Sequence, residues 1–193
     1  MKLRFIDKCV AVAVVAILPV AALASNFEIT PAVQSELDKQ KHVIAAWAAD
    51  PGIVNAVKEQ NAQGPIAGMD NPKWKTTRRS EPLVKGFQSN PAGQFLRAKL
   101  EASGGTFSEA FLNAGHGEKV AFVEKTTSYI HVGQAKHDVP FSGTRSWQGK
   151  PEFDESSQTY AVQISVPVLD GGQPIGSLVV GVNLSHLEKI AKK

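Results

Sequence analysis

A strict two-residue alternation near the carboxyl terminus limits the fold of this chain more than any other feature. Over residues 158–168, large apolar side chains at even positions alternate with smaller or more polar ones at odd positions. A period of two is that of a strand with one face in a core and one more polar face, as in antiparallel sheets. The core-facing set is Tyr160, Val162, Ile164, Val166 and Val168.

Two further patterns extend this strand into a sheet. Residues 169–173 contain an Asp-Gly-Gly sequence and predict a turn, and the nearly continuous apolar run 174–183 predicts a central strand. Upstream, residues 106–112 and 119–125 flank a Gly-containing turn and predict a hairpin. The sheet is therefore expected to be antiparallel, with four or five strands.

Helical patterns come before the strands. Thr30 or Ser25 can cap a helix that starts near Pro31, since proline is tolerated in the first turn. Asp50-Pro51 and Asn90-Pro91 repeat this start signal and predict helices over 51–60 and 91–102. The first helix carries its apolar residues on one face, namely Val33, Leu37, Ile44 and Trp47.

These elements predict one α+β domain, with a long N-terminal helix packed on an antiparallel sheet of about five strands. Its helical part spans 30–103 and its sheet part 105–184, and a final helix over 185–192 is capped by Ser185. Residues 66–75 are expected to be irregular. A polar, ring-rich insertion over 126–157 separates the two hairpins, and long insertions of this kind are usually functional or mobile.

The first 24 residues predict a secretory signal peptide. Three basic residues precede the apolar run 9–23, which ends in a small-residue cleavage site, Ala22-Leu23-Ala24. The run is shorter than the ~20 residues that a membrane helix needs. We therefore expect a periplasmic or secreted protein, cleaved near Ala24 and Ser25, whose mature domain covers 25–193.

If the signal peptide is removed, the net charge of the remaining domain is lower than that of the whole chain. The whole chain has 193 residues, a formal net charge of +3 and one cysteine. Removing three of the 21 basic and one of the 18 acidic residues leaves 18 against 17, a net charge of +1, and also removes Cys9. A nearly neutral exported domain argues against a nucleic-acid-binding protein.

Several segments are similar to Cache domains, also called PDC sensor domains, which are PAS-like extracytoplasmic sensors. Residues 152–160 and 164–184 resemble the end of such a domain. Residues 53–58 and 89–96 resemble a group of secreted single-domain members. The resemblance extends over roughly residues 30–190, and the carboxy-terminal hairpin is its most specific part.

The resemblance implies a long helix laid along a five-stranded sheet and a small ligand held between the sheet and the loops over it. Most members are joined through membrane helices to a kinase, a chemoreceptor or a cyclase. For this chain we expect a sensor module without its own output domain, which signals through a partner such as a membrane receptor or sensor kinase. Pairing of two copies through the long helix is a further expectation.

The candidate ligand is a small anionic or zwitterionic metabolite, of the amino or carboxylic acid class. Arg145 can clamp a carboxylate, Tyr129 and Trp147 can wall the site, and Asp138 or Asp154 can accept from an ammonium group. The alternatives are that Arg145 is a solvated loop residue and Trp147 a packing ring. The complete predicted set is Tyr129, His131, Asp138, Arg145, Trp147, Asp154 and Tyr160.

Residues 130–138 depart from the secreted relatives, because the tyrosine at 129 is retained while most of the acidic residues after it are lost. The alternative function is therefore a structural or interaction protein that kept the Cache fold without ligand binding. A weaker alternative is a secreted metal-binding protein that uses His131, His137 and Asp138. The spacing of these three matches no compact metal site, so neither a metal nor another cofactor is predicted.

Catalytic signatures are absent from the sequence. It contains no Gly-x-Ser-x-Gly turn, no His-Glu-x-x-His helix and no phosphate-binding loop, so an enzyme is not predicted. The basic cluster Lys73, Lys75, Arg78 and Arg79 surrounds Trp74. We interpret this cluster as a solvated loop or as a docking face for an acidic partner, not as a nucleic-acid site.

Overall fold

A computed structural model of the protein describes residues 27–143, 145–154 and 159–192. The predicted signal peptide lies outside these residues. Within them the chain forms seven helices and six strands. The helices are α1 (Pro31–Ala48), α2 (Pro51–Gln63), α3 (Asn71–Thr76), α4 (Pro82–Ser89), α5 (Pro91–Ala102), α6 (Ala135–Phe141) and α7 (Leu184–Ala191). The strands are β1 (Phe107–Ala114), β2 (Lys119–Phe122), β3 (Trp147–Gln148), β4 (Glu152–Asp154), β5 (Thr159–Asp170) and β6 (Gln173–Asn183).

The strands form one antiparallel sheet in the order β2-β1-β6-β5-β3, and β4 pairs with another part of β5. The two long strands β5 and β6 come from the alternating and apolar runs, and β6 lies in the middle of the sheet as expected. The predicted α+β class and antiparallel sheet are confirmed. The described sheet has six strands because the insertion adds the two short ones.

The long helix α1 forms where the cap and the apolar spacing predicted it. Thr30 Oγ1 accepts a hydrogen bond from the Val33 amide at 3.3 Å, which satisfies one of the free donors of the first turn. The apolar face of α1 is buried against β5, β6 and α7. The even-numbered residues of β5 from Val162 to Val168 belong to the same core.

The prediction that residues 66–75 are irregular is wrong for the second half of that segment. Asp70 caps α3, because its Oδ1 accepts from the Lys73 amide at 2.8 Å, and Pro72 occupies the first turn. The sequence at the start of α3 thus carries the same cap-and-proline signal as the starts of α2 and α5, but the helix that follows has only 6 residues. Residues 82–89 form a further helix, α4.

Two other expectations need correction. The insertion over 126–157 is not irregular throughout, since it contains α6, β3 and β4. The final helix starts at Leu184 and is capped by Asn183, whose Oδ1 accepts from the His186 amide at 3.0 Å, rather than by Ser185. Asn is as good a cap as Ser, and here it ends the preceding strand.

Helices cover both faces of the sheet. One face packs against α1, α2, α5 and α7 and carries most of the aliphatic core. The opposite face carries a second core rich in aromatic rings, to which α3 and α4 contribute Trp74 and Phe87. Trp74 stands edge-on to Phe87 and Phe122, with ring centroids 6.1 and 5.9 Å apart, which is a favoured arrangement. This second face also carries the buried polar residues.

Candidate functional site

The sheet face opposite α1 buries a row of polar side chains on adjacent strands. Asn113 of β1 pairs with Ser177 of β6, and Ser165 of β5 lies on the same face, since Ile164 and Val166 on either side point into the α1 core. All three polar residues are inaccessible to solvent. Burying hydroxyl and amide groups is costly unless they find partners, so their partners define the site.

A β-bulge adds a lysine to this row. Phe111 pairs with Phe122 and Asn113 with Lys119, so β2 has one more residue than β1 between these two pairs. The additional residue is Val120, whose carbonyl accepts from Asn90 Nδ2 at 2.9 Å. A bulge re-aims the side chains beyond it, and here it places Lys119 beside Asn113.

Lys119 is completely buried, and among the described residues no acid lies within salt-bridge distance of its amine. Its Nζ lies 2.6 Å from Asn113 Oδ1, 2.9 Å from His131 Nδ1 and 3.9 Å from the centre of the Phe111 ring. Burial lowers the pKa of this amine well below its usual value, and Lys136 lowers it further, while Glu109 acts in the opposite direction. The protonated form of Lys119 therefore lacks the counter-charge that a buried cation normally has.

His131 is held in the neutral form by the same environment. Only 2% of its surface is exposed, and its ring lies against Phe111, with centroids 5.1 Å apart. Burial, followed by the charge of Lys119, lowers the pKa of His131 to about 2. Neutral Nδ1 can accept the hydrogen bond that Lys119 Nζ donates.

Helix α6 continues this chain of contacts. His137, on α6, is buried, and its Nδ1 lies 2.9 Å from Ser177 Oγ, which in turn accepts from Asn113 Nδ2 at 3.0 Å. Burial lowers the pKa of His137, against the opposing effects of Asp138 and of the Gly115 backbone. The network therefore runs from His131 through β2, β1 and β6 to α6. We call these five residues the polar face, namely Asn113, Lys119, His131, Ser177 and His137.

Three buried groups around the site have no hydrogen-bond partner among the described residues. They are the Oγ of Ser165, the Nε2 of His137 and both carboxylate oxygens of Glu118. The Gly115 backbone lies close enough to raise the pKa of His137, although Nε2 meets full hydrogen-bond geometry with no group of the described residues. Unpaired buried polar atoms are rare in folded proteins and require an explanation, such as water or a ligand.

The predicted residue Tyr129 is part of the aromatic core on this side of the sheet. It is completely buried, its ring centroid lies 5.6 Å from that of Trp74, and its hydroxyl accepts from the Ile66 amide at 3.0 Å. Burial raises the pKa of the phenol. Asp138, in the first turn of α6, accepts from the Gly133 amide at 3.1 Å and so supports the turn before that helix.

The other predicted residues are more widely spread. Arg145 is exposed. Trp147 is half-buried in β3 and pairs with Ser165, so its side chain lies on the same side of the sheet as the polar face. Tyr160 packs against the α1 core, 5.4 Å from the ring of Phe27. The side chain of Asp154 lies outside the described residues. The structure thus brings Tyr129, His131, Asp138 and Trp147 to one face of the sheet and Tyr160 to the other, and a ligand role for any of the seven stays a prediction.

Sequence reasoning missed the centre of the site. Lys119 and Ser177 were predicted only as parts of strands, and Asn113 as part of the turn between 112 and 119, whereas β1 continues through it to Ala114. A signal was present for Lys119, because a lysine that opens the apolar run 119–123 is unusual for a strand buried on both faces. The face of the sheet that the Lys119 side chain occupies depends on the bulge, which no local sequence pattern predicts.

Two cavities open elsewhere on the surface. One, of about 530 Å³, lies between α1 and the end of β5 and is lined by small and apolar residues together with Asp38, Lys41 and His42. The other, of about 400 Å³, lies between α3 and the segment after β2. Neither includes a residue of the polar face, which is covered by α6 and by the chain around His131.

Over 27–143, 145–154 and 159–192, no three histidine, cysteine, aspartate or glutamate side chains come together as a metal site. Within the same residues, no helix has both the length and the apolar character needed to cross a membrane.

No family model and no curated protein matches the sequence. Among solved structures, the fold is similar to the sensor domain of the histidine kinase DctB of V. cholerae, with a TM-score of 0.53 and 15% identity over 83% of this chain and 54% of that one. This chain therefore spans about half of the DctB domain. A weaker match is the ligand-binding domain of the Pseudomonas aeruginosa amino acid chemoreceptor PctC in complex with GABA, with a TM-score of 0.45 and 16% identity over 82% of this chain and 58% of that one. Another is the sensory domain of the Campylobacter jejuni chemoreceptor Tlp3 with isoleucine bound, with a TM-score of 0.43 and 14% identity over 86% of this chain and 69% of that one. The expected resemblance is confirmed at the level of the fold: the chain folds like a Cache-type sensor domain.

Proposed function

We propose that this protein is a ligand-binding sensor module whose ligand lies on the polar face, around Lys119. The observation that carries the proposal is a completely buried lysine whose neighbours are an amide, an imidazole and an aromatic ring, with no ion pair to an acid in the part of the chain that the structure describes. An unpaired buried cation is costly, so such a position is normally kept for a purpose. The fold shared with DctB supports a sensory purpose.

The chemistry of the site favours an anionic ligand, of the carboxylic or amino acid class. A carboxylate at Lys119 Nζ would supply the missing counter-charge and form charge-assisted hydrogen bonds, which are about twice as strong as neutral ones. The hydroxyl of Ser165 and the Nε2 of His137 remain available as polar partners on the same side of the sheet. Binding would then favour protonated Lys119 over the neutral amine.

The polar face must open for a ligand to enter. α6 packs over β5 and β6 and holds Ser177 through His137, so release of this one hydrogen bond is part of the opening. A ligand can shift the balance between closed and open forms only by its different affinity for the two. The moving surface of α6 would be the signal that a membrane receptor or sensor kinase detects, outside the cytoplasm.

The test is a thermal-shift screen of the purified protein against amino acids and carboxylic acids, followed by calorimetry on the hits. A ligand at 100 times its Kd adds about 2.7 kcal/mol of stability, which corresponds to a rise in Tm of roughly 5–10 °C. Lys119→Met keeps an unbranched side chain that is only one atom shorter and should abolish the response. Arg145→Gln removes an exposed cation that the sequence pointed to, and it should leave the response unchanged.

A second candidate, an interaction protein that no longer binds a ligand, is favoured by one observation. Lys119 and His131 themselves occupy the polar face, and the hydroxyl of Tyr129 is already engaged. Well-folded protein with no response to the whole panel, together with capture of a partner or of a second copy through α1, would support this candidate. A response lost in Arg145→Gln and retained in Lys119→Met would contradict the site proposed above.

A further inference from the structure

The second cavity is lined only by basic residues and threonines. It has a volume of about 400 Å³ and lies on the same side of the sheet as α3, at a place that the proposed sensor site does not use. No carboxylate and no apolar side chain contributes to its lining. The lining residues are Lys75, Thr77, Arg79, Lys125, Thr126 and Thr127.

The fold fixes the two walls of this cavity against each other. Trp74 of α3 is completely buried, and its Nε1 donates to the Thr126 carbonyl at 2.8 Å. Lys125 Nζ lies over the same indole, 4.6 Å from the ring centre, which is a cation–π contact. The segment after β2 is therefore anchored to α3, and the cations of both walls face a common space.

The charges in this space repel one another. Burial and then the charge of Arg79 lower the pKa of Lys125, and Glu81 opposes this only in part. No ion pair of the described residues involves Lys75, Arg79 or Lys125. Three cations lie together and no acid is among the lining residues, so a bound anion would reduce their mutual repulsion.

The hydrogen-bond donors that line the cavity indicate which class of anion would fit. The hydroxyls of Thr77 and Thr126 already donate to backbone carbonyls, at 3.0 and 2.7 Å. Within the described residues, no hydrogen bond engages the Arg79 guanidinium, the ammonium groups of Lys75 and Lys125, or the Thr127 hydroxyl, so these remain as donors for an anion. Several donors around a concave space suit a compact anion with several oxygens, and arginine matches such oxygens with two parallel bonds.

We propose that this cavity binds a phosphate group, either free or as a monoester, in addition to the ligand of the polar face. The cations converge on one space from two anchored walls, which favours a compact group with several charges, such as a single phosphate, over an extended acidic peptide. The site is separate from Lys119, so the two binding events can be measured independently.

The experiment is calorimetric titration at constant ionic strength with two probes, inorganic phosphate and phosphoserine, and with a poly-glutamate peptide as the competing macromolecular ligand. We expect saturable binding of at least one phosphate probe, weakened about tenfold in Arg79→Gln and in Lys75→Gln, since each loses a charge-assisted contact. A stronger response to inorganic phosphate than to phosphoserine identifies the free ion, and the reverse order identifies the ester.

Lys85→Gln is the matched control, because it removes an exposed lysine of α4 that does not line the cavity, and its affinity for phosphate should equal that of the wild type. Circular dichroism establishes that all variants are folded. The proposal is overturned if phosphate binds equally well to Arg79→Gln and to wild type, if neither phosphate probe binds saturably, or if only poly-glutamate binds.

Discussion

Acid should destabilise this protein more steeply than its carboxylates alone would, because the fold keeps His131 neutral. Its pKa falls from 6.5 to about 2 in the folded chain. Between these values the unfolded chain binds a proton on His131 and the folded chain does not. Stability therefore rises with pH across this window, is complete above pH 6.5, and is lost as the pH falls.

The size of the effect follows from the shift. One pKa unit corresponds to about 1.4 kcal/mol, so lowering the pH from 6.5 to 4.5 removes about 2 kcal/mol through His131 alone. That is a large fraction of the total stability of an ordinary domain, which is about 5–15 kcal/mol. His137 acts in the same direction, because burial lowers its pKa too.

The assay is urea unfolding at fixed ionic strength between pH 4.5 and 7.5, on the wild type and on His131→Gln. Glutamine can accept from Lys119 Nζ but does not titrate, so the difference between the two curves isolates His131. The difference in unfolding free energy should change by about 2 kcal/mol between pH 6.5 and 4.5. His42→Gln, at an exposed histidine of α1, is the control and should follow the wild type.

Parallel curves for the wild type and His131→Gln would refute the reasoning. Such a result would mean that His131 is protonated in the folded protein at the same pH as in the unfolded chain. The polar face would then be open to solvent, and the argument for an unpaired Lys119 would fail with it.

The remaining predictions concern stability and use urea unfolding as well. Burial lowers the pKa of Lys119, so the unfolded chain binds more protons than the folded one between pH 8 and 10; stability should rise with pH in this range, and Lys119→Met should flatten the rise. Trp74→Phe removes the hydrogen bond to the Thr126 carbonyl and should cost about 1–3 kcal/mol. Gly176→Ala should destabilise by more than about 2 kcal/mol, since its new Cβ would collide with the Asn113 carbonyl, whereas Gly86→Ala has open space in α4 and should stabilise by about 0.5–1 kcal/mol. Equal effects of the two glycine substitutions would contradict the packing described here.

The elements that the sequence predicted correctly are those with local causes. The cap of α1 at Thr30 joins residues three apart, and the alternation of β5 is set by the pleat of a single strand. Both signals lie within a few positions of the residues they concern. α3 carried the same kind of signal at Asp70, but its short length and lack of apolar spacing concealed it.

The site was harder to predict because it is made by pairing between distant segments. Asn113 and Ser177 are 64 positions apart in sequence and meet only through strand register. The predicted ligand residues were chosen because they cluster in one insertion, yet Tyr160 turns to the α1 core and Arg145 to solvent. Proximity along the chain was a poor guide to which face of the sheet a side chain occupies.

The chemistry of the polar face depends on the bulge at Val120, that is, on the one additional residue that β2 has opposite β1. If the bulge were smoothed out with every residue of β2 kept, Val120 would pair with Asn113, and Lys119 would lie opposite Ala114 and point into the aliphatic core of α1. Asn90 holds the bulge in place, because its side chain both caps α5, at 2.8 Å from the Gly93 amide, and binds the Val120 carbonyl. Substitutions on β2 can therefore alter what the site recognises, whereas loss of the bulge would erase the site while leaving every side chain of the polar face in the sequence.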